Sequence, residues 1–525
     1  MAQSNLNLNN HLNNSSLKEM SAYKRWSYLF TDRRLGSIRK DLSQEKSRTP
    51  FHKDYDRLIF SQSFRQLNQK TQVHPLTNQM GIHTRLTHSL EVSCIVVDKL
   101  KSYSVNLTKP VLVVLEVGCL VSHLVGYDYI GRSLGMMAAE KLQNTLAEGL
   151  PRGVSVGDVG VIVQAACLAH DIGNPPFGHA GEYAIRDWFN QPGQQPFLSH
   201  LTPAQRLDLQ GYEGNAQGFR LLTRNEHHPD RGGMRLTCAT LGAFMKYPWL
   251  AKHSNQTECD TTNLSNSSAP IRALDIKKYG CFNNDANLLD KLAGQLRLPY
   301  APNQQGYARH PLAYLLEAAD DICYALIDLE DGIHLGMISY QEVEPLMMGL
   351  IGSRGAPPEV TNNAPIVQKL AALRGRAMMR LVDKVTEAFV IHADEMLAGE
   401  MEGSLFDHCE PSVSEGINRA KNLASNQIFS HPSKVRMELM ANRCLQTLLD
   451  AFMPLALLPI TEQRPHFEQK HLLQLLNQHL HTLYRQLGRD VYENALNILD
   501  YLTGMNDHEA YRLAQDLNGI GDKVW

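Results

Sequence analysis

The sequence predicts an all-α protein, with a helical core over about residues 50–350 and a helical C-terminal region over 366–525. Three observations carry this. Apolar residues recur at three-to-four spacing in long segments. Pro and Gly fall between those segments, where helix ends are expected. No stretch alternates as a strand series does, and no internal repeat is visible.

In chain order, residues 1–18 are rich in Asn and Ser and predict a disordered tail. "LTHSLEVSCIVVDKLKSY" (86–103), "YIGRSLGMMAAEKLQNTLAEGL" (129–150) and "DVGVIVQAACLAHD" (158–171) each read as a helix. "HSNQTECDTTNLSNSSAP" (253–270) is a polar loop. "HPLAYLLEAADDICYALIDLEDG" (310–332) is a further helix, and "SRGAPPEVTNNAP" (353–365) is a second polar connection. Residues 367–397 and much of 434–503 complete the helical C-terminal region.

Composition narrows the function classes. Of 525 residues, 43% are apolar and 20% charged, as in ordinary globular chains. The net charge of −3 gives no bulk basicity, so a polyanionic ligand needs a local cluster of cations or a metal. Nine cysteines, an odd number with no CxxC pair, read as reduced thiols of a cytoplasmic protein. The N-terminus has no apolar core of a secretory signal. The most apolar run, 111–126, contains Glu116 and His123 and is too short to span a bilayer. The expectation is a cytoplasmic protein without a membrane partner.

The chemistry concentrates in "AHDIGNPPFGHAGE" (169–182). A buried helix ends in His170-Asp171, breaks at Gly173 and Pro175-Pro176, and then offers His179 and Glu182. A charged pair in a core is costly unless it is hydrogen-bonded, paired or on a metal. One reading is a helix C-terminus capped by a histidine; the other is a metal site followed by an acid/base pair. Two further segments bear on the choice. "RLTH" places Arg85 and His88 on one helix face. "EAADDICYALIDLED" places Asp320, Tyr324 and Asp328 on one stripe of another helix. His88, His170, Asp171 and Asp320 would make a mixed imidazole–carboxylate set, suited to Mn²⁺, Mg²⁺, Fe²⁺, Co²⁺ or Zn²⁺. Each residue alone has a plain structural reading; their coincidence is what argues for a site.

These segments resemble the H…HD…D signature of the HD-domain phosphohydrolases. "FRQLNQKTQVHPL" (64–76), "GYEGNAQGFRLL" (211–222), "FMKYPW" (244–249) and "IFSHPSKVRMEL" (428–439) add a more specific resemblance, to the deoxyguanosine triphosphate triphosphohydrolase (dGTPase) family. It extends from about residue 50 to near the C-terminus. It implies an HD-domain catalytic core over 50–350 and a C-terminal region that completes the base pocket and oligomer contacts. It also implies hydrolysis of dGTP at the α-phosphorus, giving deoxyguanosine and intact triphosphate. A dNTPase of broad base specificity is the alternative, and a non-catalytic nucleotide or nucleic-acid sensor is the reading from another class.

By the same resemblance His88, His170, Asp171 and Asp320 hold one divalent ion, Mg²⁺ or Mn²⁺, and His179 with Glu182 does the proton transfer. Arg85, Asn215, Lys246 and Tyr247 match phosphate-binding positions, and Tyr324 and Asp328 match the sugar site. Gln72 and Val73 match positions beside the base; Arg443 joins them by its distance from "FSHP". The chain departs from the family at His74, where relatives carry an aromatic residue, and in the lengthened loop 253–270. Relatives form ring-like homo-oligomers, often hexamers, and some bind single-stranded DNA. The first is expected here, while no charge stripe independently points to the second.

Overall fold

The computed structural model describes residues 17, 19–35, 48–70, 84–93, 130–226, 233–252, 278–301, 306–361, 364–461 and 464–520. Gln72, Val73, His74, the loop 253–270 and residues 1–16 of the expected tail lie outside them.

The fold is all-α. The helices that build the site are α1 (Pro50–Ile59), α2 (Arg85–Ser93), α3 (Ile130–Thr145), α4 (Val156–Ala169), α5 (His179–Asn190), α6 (Gly214–Arg220), α7 (Cys238–Phe244), α8 (Pro311–His334), α9 (Ile366–Ile391), α10 (Pro432–Phe452) and α11 (Val491–Thr503). Shorter helical turns and one minimal antiparallel pair, β1 (Tyr300–Ala301) with β2 (Gly306–Tyr307), connect them. The pair is two residues per strand, too short to leave an alternating signature in the sequence.

α4 is the central element. Ser155 caps its start by a reciprocal box with Asp158, satisfying two backbone donors that a helix end leaves open. Every residue from Asp158 to Ala169 is buried, and α1, α2, α3, α7 and α8 pack around it. An apolar helix without a polar face demands such complete enclosure. The 367–397 segment divides instead, into α9 and a short helix Ala393–Ala398, with His392 off helical geometry between them. The 434–503 segment becomes α10, a helix Phe467–Thr482 and α11.

Two apolar cores form. Leu168, Ile172, Leu315 and Leu381 belong to the first; Phe177, Trp188, Leu445 and Leu499 belong to the second. The chain crosses between them in the loop that joins α4 to α5. The run Pro432–Thr461 is long and apolar enough to cross a membrane by length and composition. In the fold Ala441, Leu445, Leu448 and Phe452 of this run are buried in the second core, which is how a core helix packs.

Candidate active site

α4 ends at Ala169, so His170 and Asp171 stand just past it, on the side of the first core. His170 Nδ1 lies 2.6 Å from the Cys167 carbonyl oxygen. Donation there leaves a lone pair on Nε2, the tautomer that a metal ligand needs. Burial holds His170 below the ordinary histidine value, against the pull of Asp171 and Asp320, and this favours the neutral ring.

α2 brings His88, whose ring centroid is 5.4 Å from that of His170. α8 brings Asp320: its Oδ1 lies 3.2 Å from His88 Nε2 and 3.6 Å from His170 Nε2. Donor atoms of His88, His170 and Asp171 lie within 4.8 Å of one another. Burial works to lower His88, yet the hydrogen bond and charge of Asp320 outweigh it and raise the group. Burial likewise opposes ionisation of Asp171, but Arg85, His170 and His88 hold its carboxyl down at about 2.

Fit to a divalent ion can be tested on one atom. Asp171 Oδ1 accepts from Arg85 Nη1 at 2.8 Å and from the Asn174 side-chain amide. Asp171 Oδ2 is buried with no hydrogen-bond partner, and it faces His170 Nε2 at 3.6 Å. An orphaned carboxylate oxygen beside two imidazoles is a costly arrangement that a cation satisfies. The donor set fits the ion.

Cations surround this cluster. Arg85 is buried, and its Nε has no partner. Lys246 Nζ donates to Asp320 Oδ2 at 2.6 Å; burial opposes its charge, and Asp320 more than restores it. Tyr247 packs edge-on against Trp249, with the Arg309 guanidinium 5.6 Å from its ring centroid.

The histidine–glutamate pair stands on α5. Phe177 and Gly178 both have positive φ, 63° and 59°. This conformation strains Phe177 by about 1–2 kcal/mol. A hydrogen bond of 2.7 Å from the Phe177 N–H to Asp507 and burial of its ring offset the strain. At Gly178 a Cβ would meet Arg85 Nη2 at 2.3 Å. The reversal starts α5 at His179. His179 Nδ1 lies 2.7 Å from Glu182 Oε2, and Glu182 Oε1 accepts from the Gly214 N–H at 2.7 Å. The imidazole is 68% exposed while the carboxylate is buried. Burial resists ionisation of Glu182, but His179, Arg186 and the Gly214 N–H hold it down at about 2. The Glu182 contact to Gly214 also brings in α6, where the Asn215 amide donates to Glu213 at 2.7 Å.

Tyr324 and Asp328 follow Asp320 along α8, with Asp328 buried. The Tyr324 ring stacks on Phe429, centroids 5.5 Å apart. Arg443 is exposed on α10, and no contact among the described residues ties its side chain to the cluster.

The sequence reading did not single out Asn174, Phe429, Lys434 or Lys70. All four lie inside quoted motifs, but a motif does not say which of its residues face inward. Lys70 precedes Gln72 by two positions. It is buried, and its Nζ donates to the carbonyl oxygens of Asn174 and Thr503, each at 2.8 Å.

No family model matches the chain. Individual relatives match over nearly its whole length. It is 39% identical over 502 residues to a Pseudomonas aeruginosa protein named deoxyguanosinetriphosphate triphosphohydrolase-like protein, covering 94% of this chain and 98% of that one. A Synechocystis protein of the same name is 33% identical over 515 residues, covering 94% and 99%. A Klebsiella pneumoniae protein named deoxyguanosinetriphosphate triphosphohydrolase is 30% identical over 522 residues, covering 88% and 92%.

Proposed function

The chain belongs to the deoxyguanosinetriphosphate triphosphohydrolase family, and we propose that it hydrolyses dGTP to deoxyguanosine and inorganic triphosphate, by water attack at the α-phosphorus. The observation that carries the reading is the orphaned Asp171 Oδ2 beside His88 and His170, with Arg85 and Lys246 bonded to the cluster's carboxylates and a histidine–glutamate pair at the start of the next helix.

His88, His170, Asp171 and Asp320 would hold one divalent ion, Mg²⁺ or Mn²⁺. Such an ion, when bound, supplies Lewis-acid polarisation of an α-phosphate oxygen. The protein's own groups do the rest. Arg85, Lys246, Tyr247 and Asn215 bind the triphosphate, the guanidinium by a planar fork and the ammonium as a point charge. Tyr324 and Asp328 receive the sugar: a ring against C2′ and a carboxylate on the 3′-OH disfavour a ribonucleotide. Glu182 fixes His179 through Nδ1, which leaves Nε2 to deliver a proton to the departing 5′ oxygen. The buried carboxylate stabilises the imidazolium between turnovers.

A triphosphohydrolase of broad base specificity is the second reading. It draws support from the exposed Arg443 side chain, which no contact among the described residues ties to the cluster. The deciding experiment incubates the protein with each dNTP and with GTP, plus Mg²⁺ or Mn²⁺, and separates triphosphate, pyrophosphate and phosphate. Triphosphate from dGTP alone supports the first reading, and triphosphate from several dNTPs supports the second. Pyrophosphate or orthophosphate as first product rejects both.

A further inference from the structure

Lys434 is the third residue of α10, a helix of 21 residues. Its side chain lies on the helix face that leads to Ala441 and Leu445 in the second core, and it is only 15% exposed. Nζ stands 3.9 Å from the centroid of the Phe429 ring, whose other stacking partner is Tyr324. The ammonium therefore caps an aromatic ladder that begins one turn from Asp320.

Among the described residues this cation has only a loose counter-ion. Among the described residues the carboxylate within 4 Å of it is Glu438, at 3.9 Å. Lys246, by contrast, is held at 2.6 Å by Asp320. Burial is the main influence lowering Lys434; Glu438 and Asp328 favour its charge, and Arg85 opposes it. Asp328 and Arg85 are thus close enough to act on it electrostatically. Arg85 itself has a buried Nε without a partner. Arg85 spends Nη1 on Asp171, so its orphaned Nε and the loosely paired Lys434 ammonium are the donors left for an anion. The N-terminal end of α10 adds the positive end of a helix dipole.

We infer that Lys434 contacts the substrate, holding a phosphate oxygen of the nucleotide opposite Arg85. The inference rests on the proposed reaction for the identity of the anion, and on the Phe429–Tyr324 ladder that begins one turn from Asp320 for its place. A lysine here makes α10, from the second core, close over a substrate whose metal ligands come from the first.

The test uses sodium tripolyphosphate as the probe, with Mg²⁺ present and the full chain in each case. Its affinity is measured by calorimetry for wild type, Lys434→Gln and Lys434→Arg, beside the affinity for deoxyguanosine and the turnover of dGTP. Lys434→Gln should weaken tripolyphosphate about tenfold or more, as expected for loss of one charge-assisted hydrogen bond. Lys434→Arg should stay within about threefold of wild type, and deoxyguanosine should bind all three alike. Unchanged tripolyphosphate affinity in Lys434→Gln overturns the inference. So does a wild type that does not bind tripolyphosphate, or a loss confined to deoxyguanosine, which would place Lys434 on the nucleoside. If wild type turns over no dNTP while Lys434→Gln still loses tripolyphosphate, the reaction is wrong and the anion contact stands.

Discussion

Glu182→Gln separates positioning from proton transfer. In the structure one buried carboxylate serves two donors, His179 Nδ1–H and the Gly214 N–H, both at 2.7 Å. The amide oxygen of Gln can serve one of them, and its NH₂ then faces the other. A hydrogen bond to a charged partner contributes about 1.5–3 kcal/mol and a neutral one about 0.5–1.5. The imidazolium therefore loses roughly 1–2 kcal/mol, or about 5- to 30-fold in kcat. His179→Ala removes the proton carrier and should cost about 10²–10⁴, with metal content and dGTP affinity kept. Triphosphate release under saturating dGTP measures both variants, and thermal melts report the Gly214 donor left unpaired in Glu182→Gln. Equal losses in the two variants would refute the division of roles. Unchanged kcat in Glu182→Gln would make the pair a helix-start contact. A His179→Ala that loses affinity but not turnover would make the histidine a binding group only.

Four further outcomes are expected. Asp171→Ala or Asp320→Ala should abolish bound metal by elemental analysis, and activity with it, while the circular dichroism stays helical; normal metal content in either removes that residue from the ligand set. Hydrolysis in ¹⁸O-water should place the label in the triphosphate, and label in deoxyguanosine rejects attack at phosphorus. Gly173→Ala should destabilise the fold by at least roughly 1–3 kcal/mol, because its Cβ would meet Gly214 O at 2.0 Å and Gly218 N at 2.1 Å; a melt unchanged from wild type denies that close approach. The fourth concerns Asp208: burial pushes its carboxyl up to about 7 from 3.8, with Tyr492 and Asn283 opposing. The folded state then holds a proton that the unfolded chain has lost, so stability should fall as pH rises from about 4 to 7, by about 4 kcal/mol at most. Urea midpoints across that range should slope less in Asp208→Asn, and parallel slopes contradict the assignment.

What was legible in the sequence follows the range of the forces involved. α4 was visible because an unbroken apolar run can only be a buried element, and its terminal His170-Asp171 because polar groups there need partners. Asp320 stands in an otherwise apolar stretch of sequence, so it too needs a partner. That Lys246 and His88 meet this need was not visible, since they come from distant segments. Spacing placed Tyr324 and Asp328 on the Asp320 stripe because all three share one helix. Spacing says less on α10. Lys434 and Arg443 are nine residues apart, about half a turn round the axis at roughly 100° per residue. A count from "FSHP" does not reveal which of them faces inward. Nor could the two cores be read, because each is assembled from both halves of the chain.

That division bears on the chemistry. Ile172 is buried in the first core and Phe177 in the second, so the few residues between them fix where His179 stands relative to His170 and Asp171. A hinge there would let His179, the proposed proton carrier, drift from the proposed reaction centre, and misplacement by about 1 Å can cost about 10²-fold in rate. The loop is instead tied at several points. Gly173 lies against the backbone of α6, Asn174 donates to Asp171, and Lys70 links the Asn174 carbonyl to the end of α11. Burial brings Lys70 down to about 8, with Arg85 helping and Asp507 opposing. Both of its acceptors are neutral carbonyls, and a deprotonated amine still has two hydrogens. The tie therefore survives the loss of the charge. A positioning device built this way holds the loop whether or not Lys70 carries its charge.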